Sequence, residues 1–347
     1  MIDIGKARWF VVVLAAMGFA SAGGAAIGQM IERQSLAETA QAASKEGRFT
    51  WYDSIAPDEV TLIVAAFEKR YPTVKVDYIE VGGSARVARI TQESKAGGPT
   101  TDITTLSAAN IMGLAAQGLL RTVDWKALGS DASLAPNEYL LATAATVFVT
   151  IYTSDKVSEA DAPRTHEALV DPKWKGRWGT WAQAAGLRTI LPTWGEERTT
   201  AYVEKLAANG SRLYRNPQAL AEAVGAGESD VGIFVPYHTV LPTIKKGAPV
   251  KVWFPEPLPI STVYGFLPKA GRSPNAGKLF LSWLASSEGA AALETITGRG
   301  SPFVGGTEMS RMVQGKAFAV EEAQAAIDRN EWLETMATTY GRMLQGR

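Results

Sequence analysis

The sequence predicts an α/β protein of two lobes, each a mostly parallel sheet flanked by helices and joined to the other by hinge strands. Three observations predict it. Short β-branched and aromatic runs alternate with helical patterns along most of the chain, as in a parallel sheet covered on both faces. The 347 residues, 46% of them hydrophobic, are enough for two cores. Two β-rich runs far apart in the chain, Ala144 to Tyr152 and Ser261 to Phe266, suit strands that carry the backbone out of one lobe and back.

The elements follow in order. Lys6 and Arg8 precede an apolar run from Trp9 to Ala20, and Ala20-Ser21-Ala22 offers a small-x-small cleavage pattern. Residues 1–22 therefore read as a secretory signal peptide. The rival is an uncleaved anchor, since apolar character continues thinly to Ile27, near the roughly 20 residues a membrane helix needs. Gly and Ser dilute the run, which favours cleavage. The chain has no cysteine, which excludes a lipoprotein anchor, disulfides, a thiolate metal site and a Cys nucleophile. Export then ends in a Gram-negative periplasm.

Residues 23–45 form an Ala- and Gln-rich leading segment. Arg48 to Tyr52 reads as a strand ending at Asp53-Ser54, and the helix after Pro57 carries Asp58 and Glu59 in its first turn, favourable to the dipole. Val74 to Ile79 alternates as a second strand. A helix from Ala85 to Lys95 follows, with Ser84 as its N-cap. Asp102 to Leu106 is a third strand, ending at Ser107. Pro163 to Gly179 contains a rigid corner, fixed by Pro172 and by Gly176, which tolerates a left-handed backbone. A helical pattern returns from Ala276 to Leu293, and the tail from Glu321 to Leu344 is amphipathic. The expected division is 46–145 plus 262–310 for the first lobe and 146–261 for the second. Residues 311–347 form C-terminal helices packing across both.

Several phrases carry a resemblance. P-R-T-H-E-A-L-V-D-P-K-W-K-G-R-W-G (163–179) closely resembles the D-P-x-(W/Y)-K-G signature of periplasmic solute-binding proteins of ABC transporters, within the iron(III)-type group. E-G-R-F-T-W-Y-D-S, F-E-K-R-Y-P-T-V-K-V-D-Y, I-K-K-G-A-P-V and G-R-G-S-P resemble further family phrases, in the family's order. His166 stands where the family usually has Trp and is read as packing only. The resemblance implies a two-lobed type 2 periplasmic binding fold and a subunit that captures a solute by hinge closure. It also implies an ABC permease in the inner membrane as partner, a monomer, and no cofactor of its own.

Loops after strands carry ligands in open α/β sheets. Ser54, Gly83 with Ser84, and Ser107 thus form a candidate anion cradle in the first lobe, two of them at helix starts. Plain N-capping is the competing reading for each serine. In the second lobe Thr180 and Gln183 head a helix, and Arg188 supplies a bidentate clamp for carboxylate or phosphate; the competing reading puts it on a solvated face. In iron-binding relatives the strand matching Asp230 to Pro236 ends in two tyrosines. This chain keeps Tyr237 and has His238 in place of the second. The family's other ligands, a His and a Glu, have no match. If ferric ion is the cargo, Tyr237 and His238 are its metal ligands, a thin shell. If a small organic or phosphorylated anion is the cargo, they donate hydrogen bonds, His238 more strongly once protonated.

Other function classes find less support. The 35 basic and 35 acidic residues balance, so nothing draws the chain to nucleic acid. No G-x-S-x-G elbow, H-E-x-x-H or P-loop lysine motif occurs, so no enzyme is expected. A membrane receptor instead of a permease would read the same sequence.

Overall fold

The computed structural model describes residues 34–346 apart from residue 184; the apolar leader and its cleavage pattern lie outside the described residues. The first described helix, α1 (Leu36–Glu46), opens on a capping box. Ser35 Oγ accepts the Glu38 N–H, and the Glu38 carboxylate accepts the Ser35 N–H at 2.8 Å. It packs along α9 (Pro274–Leu284).

The first half alternates as its sequence does: β1 (Arg48–Asp53), α2 (Pro57–Arg70), β2 (Lys75–Glu80), α3 (Gly83–Lys95), β3 (Ile103–Leu106), α4 (Ala108–Ala116). β1 lies between β2 and β3, parallel to both. The long strand β4 (Leu141–Thr153) then runs into the second half. There the order is β5 (Trp178–Trp181), α5 (Ala185–Trp194), α6 (Glu196–Ala208), β6 (Ser211–Tyr214), α7 (Pro217–Gly225), β7 (Val231–Pro236), α8 (Tyr237–Lys245) and β8 (Val250–Trp253). β9 (Leu258–Phe266) returns along β4, antiparallel. After α9 come α10 (Ser287–Thr297), α11 (Glu308–Met312), β10 (Phe318–Val320), α12 (Ala323–Asp328) and α13 (Asn330–Leu344).

The strands form one mixed sheet in the order β2-β1-β3-β9-β4-β7-β5-β6, with β10 on β9 and β8 on β4. Every antiparallel pairing involves β4 or β9. These two expected crossing strands join two parallel βαβ halves. Each half has its own core. Phe49, Trp51, Phe67, Phe280 and Trp283 interlock in the first, with ring centroids 4.9 Å apart at the closest. Trp174, Trp178, Tyr202, Leu206 and Tyr340 fill one face of the second, and Val149, Ile151, Leu220 and Val235 the other.

The corner at Asp171 has the predicted rigidity. Asp171 caps a 3-10 turn, Pro172–Trp174, by accepting the Lys173 N–H at 2.9 Å, and Gly176 sits at φ 69°. Asn209 clamps it, donating to the Leu169 and Asp171 carbonyls and accepting the Gly176 N–H. His166 is buried and stacks on Phe234, so it packs as read.

Three expectations need correction. Gly82, not Ser84, is the N-cap of α3, and Ser84 lies inside the first turn. The helix expected from Ala276 to Leu293 breaks at Ser286, which recaps α10 through the Gly289 N–H at 3.2 Å. Thr180 heads no helix. It is a buried residue of β5, its hydroxyl directed at the Ile233 carbonyl.

Candidate functional site

Three helices of the first half start just beyond the carboxyl ends of β1, β2 and β3, and their first turns differ in charge. α2 opens with Asp58 and Glu59, which already complement its dipole. α3 and α4 open with no acid in the first turn and no side-chain cap. Their leading N–H groups thus have neither an intrahelical acceptor nor a side-chain cap. Gly83 and Ser84 are exposed in the first of these turns; Ser107 is the exposed N-cap of the second, its Oγ accepting only from Asn110 Nδ2. Ser54 is exposed beside α2, its N–H held by Asp53 Oδ1 at 2.7 Å.

Beneath these turns lies a buried polar knot that sequence reading missed. Asp53 Oδ2 is 3.0 Å from Arg86 Nη1 and accepts the Thr105 hydroxyl at 2.6 Å. Arg86 Nη1 also donates to Thr104 Oγ1. A signal was present: a cation at the end of a helix's first turn opposes the dipole and needs a reason to be there.

In the second half, α8 begins at Tyr237 directly after β7, again with no side-chain cap and no acid in its first turn. A residue within β7 is strained. Phe234 has φ 55°, where a bulky side chain is rarely found. Trp181 Nε1 holds the Phe234 carbonyl at 2.8 Å, and the ring lies against Gly186, where a Cβ would come within 2.3 Å of it.

Tyr237 is partly buried and donates to Met312 Sδ at 3.8 Å. Burial raises its pKa, helped by the carboxylates of Glu308 and Glu294, so it stays a phenol. His238 is pushed down to about 3 by burial and then by the Arg299 guanidinium. At neutral pH it is therefore an uncharged donor and acceptor, and the stronger anion binding expected of a protonated His238 is not in play there. Among the described residues no three His, Asp or Glu side chains gather to hold a metal ion.

Arg188 lies on α5, and its guanidinium is already filled. Nε and Nη2 form a fork on Glu321 at 3.0 and 2.8 Å, Nη1 reaches Glu334 at 2.7 Å, and Nη2 reaches Asn330. It is neither an open clamp nor a solvated side chain. Arg188 and Ser107 do meet, in a small polar cavity with Thr262, Tyr264 and Glu321. Ser54, Gly83 and Ser84 lie apart from that cavity, as do Tyr237 and His238.

The chain matches the sequence profile described as bacterial extracellular solute-binding protein over residues 58–295, more than two thirds of its length. It is 27% identical over 166 residues to the Fe(3+)-binding periplasmic protein of Serratia marcescens, covering 45% of this chain and 48% of that one. The chain thus spans about half the length of this curated relative. Its fold is similar to the substrate-binding protein of an ABC transporter from Agrobacterium tumefaciens, with a TM-score of 0.68 and 18% identity over 87% of this chain and 96% of that one. It is also similar to the periplasmic binding protein AfuA of Actinobacillus pleuropneumoniae bound to exogenous fructose-6-phosphate. There the TM-score is 0.63, with 19% identity over 86% of this chain and 99% of that one. The fold is the two-lobed periplasmic binding fold that the sequence predicts.

Proposed function

Because the chain belongs to the bacterial extracellular solute-binding protein family, we propose that it is the periplasmic solute-binding subunit of an ABC importer, capturing a small organic or phosphorylated anion by hinge closure. One observation carries the choice of an anion. α3, α4 and α8 start directly after strands without side-chain caps and without first-turn acids, leaving their leading N–H groups available to an acceptor. The fructose-6-phosphate bound to the AfuA neighbour is a ligand of this class.

Ser54, Gly83, Ser84 and Ser107 supply donors from the first lobe, and Tyr237 and His238 from the second. The protein performs no reaction and needs no cofactor. It acts as a monomer that hands its solute to an inner-membrane permease. Two antiparallel strands, β4 and β9, are the hinge about which a ligand shifts the open–closed equilibrium.

Ferric ion is the second reading, favoured by the Serratia marcescens relative and by Tyr237 at the start of α8. Against it stand the family's other ligands, a His and a Glu, which have no match in this chain. A thermal-shift panel with inorganic phosphate, fructose-6-phosphate, citrate and ferric chloride separates the two. Anion at 100 times its Kd should stabilise the protein by about 2.7 kcal/mol. A shift with the ferric salt alone would overturn the anion reading.

A further inference from the structure

Arg86 has more donors than its partners use. Its side chain is 7% exposed and that of Asp53 3% exposed, so the pair is buried beneath the exposed Gly82-Gly83-Ser84 turn. Asp53 shares its carboxylate among Arg86, the Thr105 hydroxyl and the Ser54 N–H. Arg86 engages Asp53 and Thr104 through Nη1 alone. Neither Nε, which is buried, nor Nη2 donates to any described residue. A buried charged donor left unpaired is costly.

The direction of the spare donors is fixed by the chain. Arg86 sits one turn into α3, and Nη2 lies against Gly83, where an added Cβ would be 3.7 Å away. Gly82 and Gly83 carry no side chain to stand between the guanidinium and the leading N–H groups of Gly83, Ser84 and Ala85. Asp53 and Thr104 hold Nη1 from below, and Thr105 in turn holds Asp53, so little ordering remains when an acceptor arrives. Arg188, the other candidate, has its donors spent on Glu321, Glu334 and Asn330.

We infer that Arg86 is the charged anion-binding residue of the first lobe, forming with the bare Gly82-Gly83-Ser84 helix start a composite site for the phosphate or carboxylate group of the solute. This rests on the anion reading proposed above and names the residue that provides the charge. The backbone N–H groups supply direction, and the guanidinium supplies the planar, charge-assisted donors that favour a tetrahedral or carboxylate oxyanion.

The test follows backbone amide resonances of the full-length exported protein during titration with inorganic phosphate, for wild type, Arg86→Lys and Arg86→Met. In wild type the amides of Gly83, Ser84 and Ala85 should move with the binding curve. Arg86→Lys should weaken phosphate binding about 10-fold and Arg86→Met about 30-fold or more. The wild-type titration keeps the inference falsifiable even if Arg86→Met does not fold. Phosphate binding that moves α4 and α8 amides while those of α3 stay still would overturn the role of Arg86 and leave the anion reading standing. So would a folded Arg86→Met that binds phosphate like wild type. If phosphate, fructose-6-phosphate and citrate all fail to bind wild type, the anion reading falls and this inference with it.

Discussion

By the sequence resemblance His238 stands where iron-binding relatives have a second tyrosine, and its surroundings decide its chemistry. An imidazole in the unfolded chain titrates near ~6.5, whereas burial and Arg299 hold the folded one at about 3. Between those values the unfolded chain binds a proton that the folded chain does not. Stability from this group is therefore full above about pH 6.5 and declines as pH falls toward 3. Buried His166, lowered in the same direction, adds to the decline. His238→Gln should flatten the acid limb, by about 1–2 kcal/mol at pH 5 relative to pH 7, in urea unfolding of both proteins. Equal slopes for variant and wild type would show that His238 is not held neutral. The sequence placed His238 at the end of a strand. Its protonation state was hidden, because Arg299 comes from a loop far along the chain.

At the scale of elements, one arginine adds an ionic tie to a C-terminal segment whose Leu333, Tyr340 and Leu344 are buried in the second core. α12 lies on α4 of the first half, and α13 lies on α5 and α6 of the second. Arg188 joins α5 to this segment through Glu321 and Glu334, with Arg188 17% and Glu321 11% exposed. Removing the guanidinium strands a mostly buried carboxylate. Arg188→Ala should cost about 3 kcal/mol and speed hydrogen exchange in α12 and α13. A variant with wild-type stability and unchanged exchange would contradict the tie. Strand and helix order was legible in the sequence because periodicity is local: β1 to α4 follow their apolar patterns closely. Capping was less so. Ser84 is the better capping residue by type, yet the chain turns at Gly82. Thr180 and Arg188 were misread for the same reason: their partners, Ile233 and Glu321, lie far away in the chain. Arg86 was missed because its partners are on β1 and β3. Only the parallel pairing of those strands brings Asp53, Thr104 and Thr105 beneath α3.

For the whole molecule, the crossing strands β4 and β9 run between the first-half core and the second-half core, and the proposed function makes them a hinge. Each core is built from its own aromatic and aliphatic set, so relative motion need not disturb either packing. The central claim is that a small anion closes this hinge. Small-angle X-ray scattering of the exported protein, with and without saturating fructose-6-phosphate or phosphate, tests it most directly. The predicted result is a smaller radius of gyration on anion addition and no change with ferric chloride. A radius unchanged at saturating anion, or a contraction with the ferric salt alone, would contradict it.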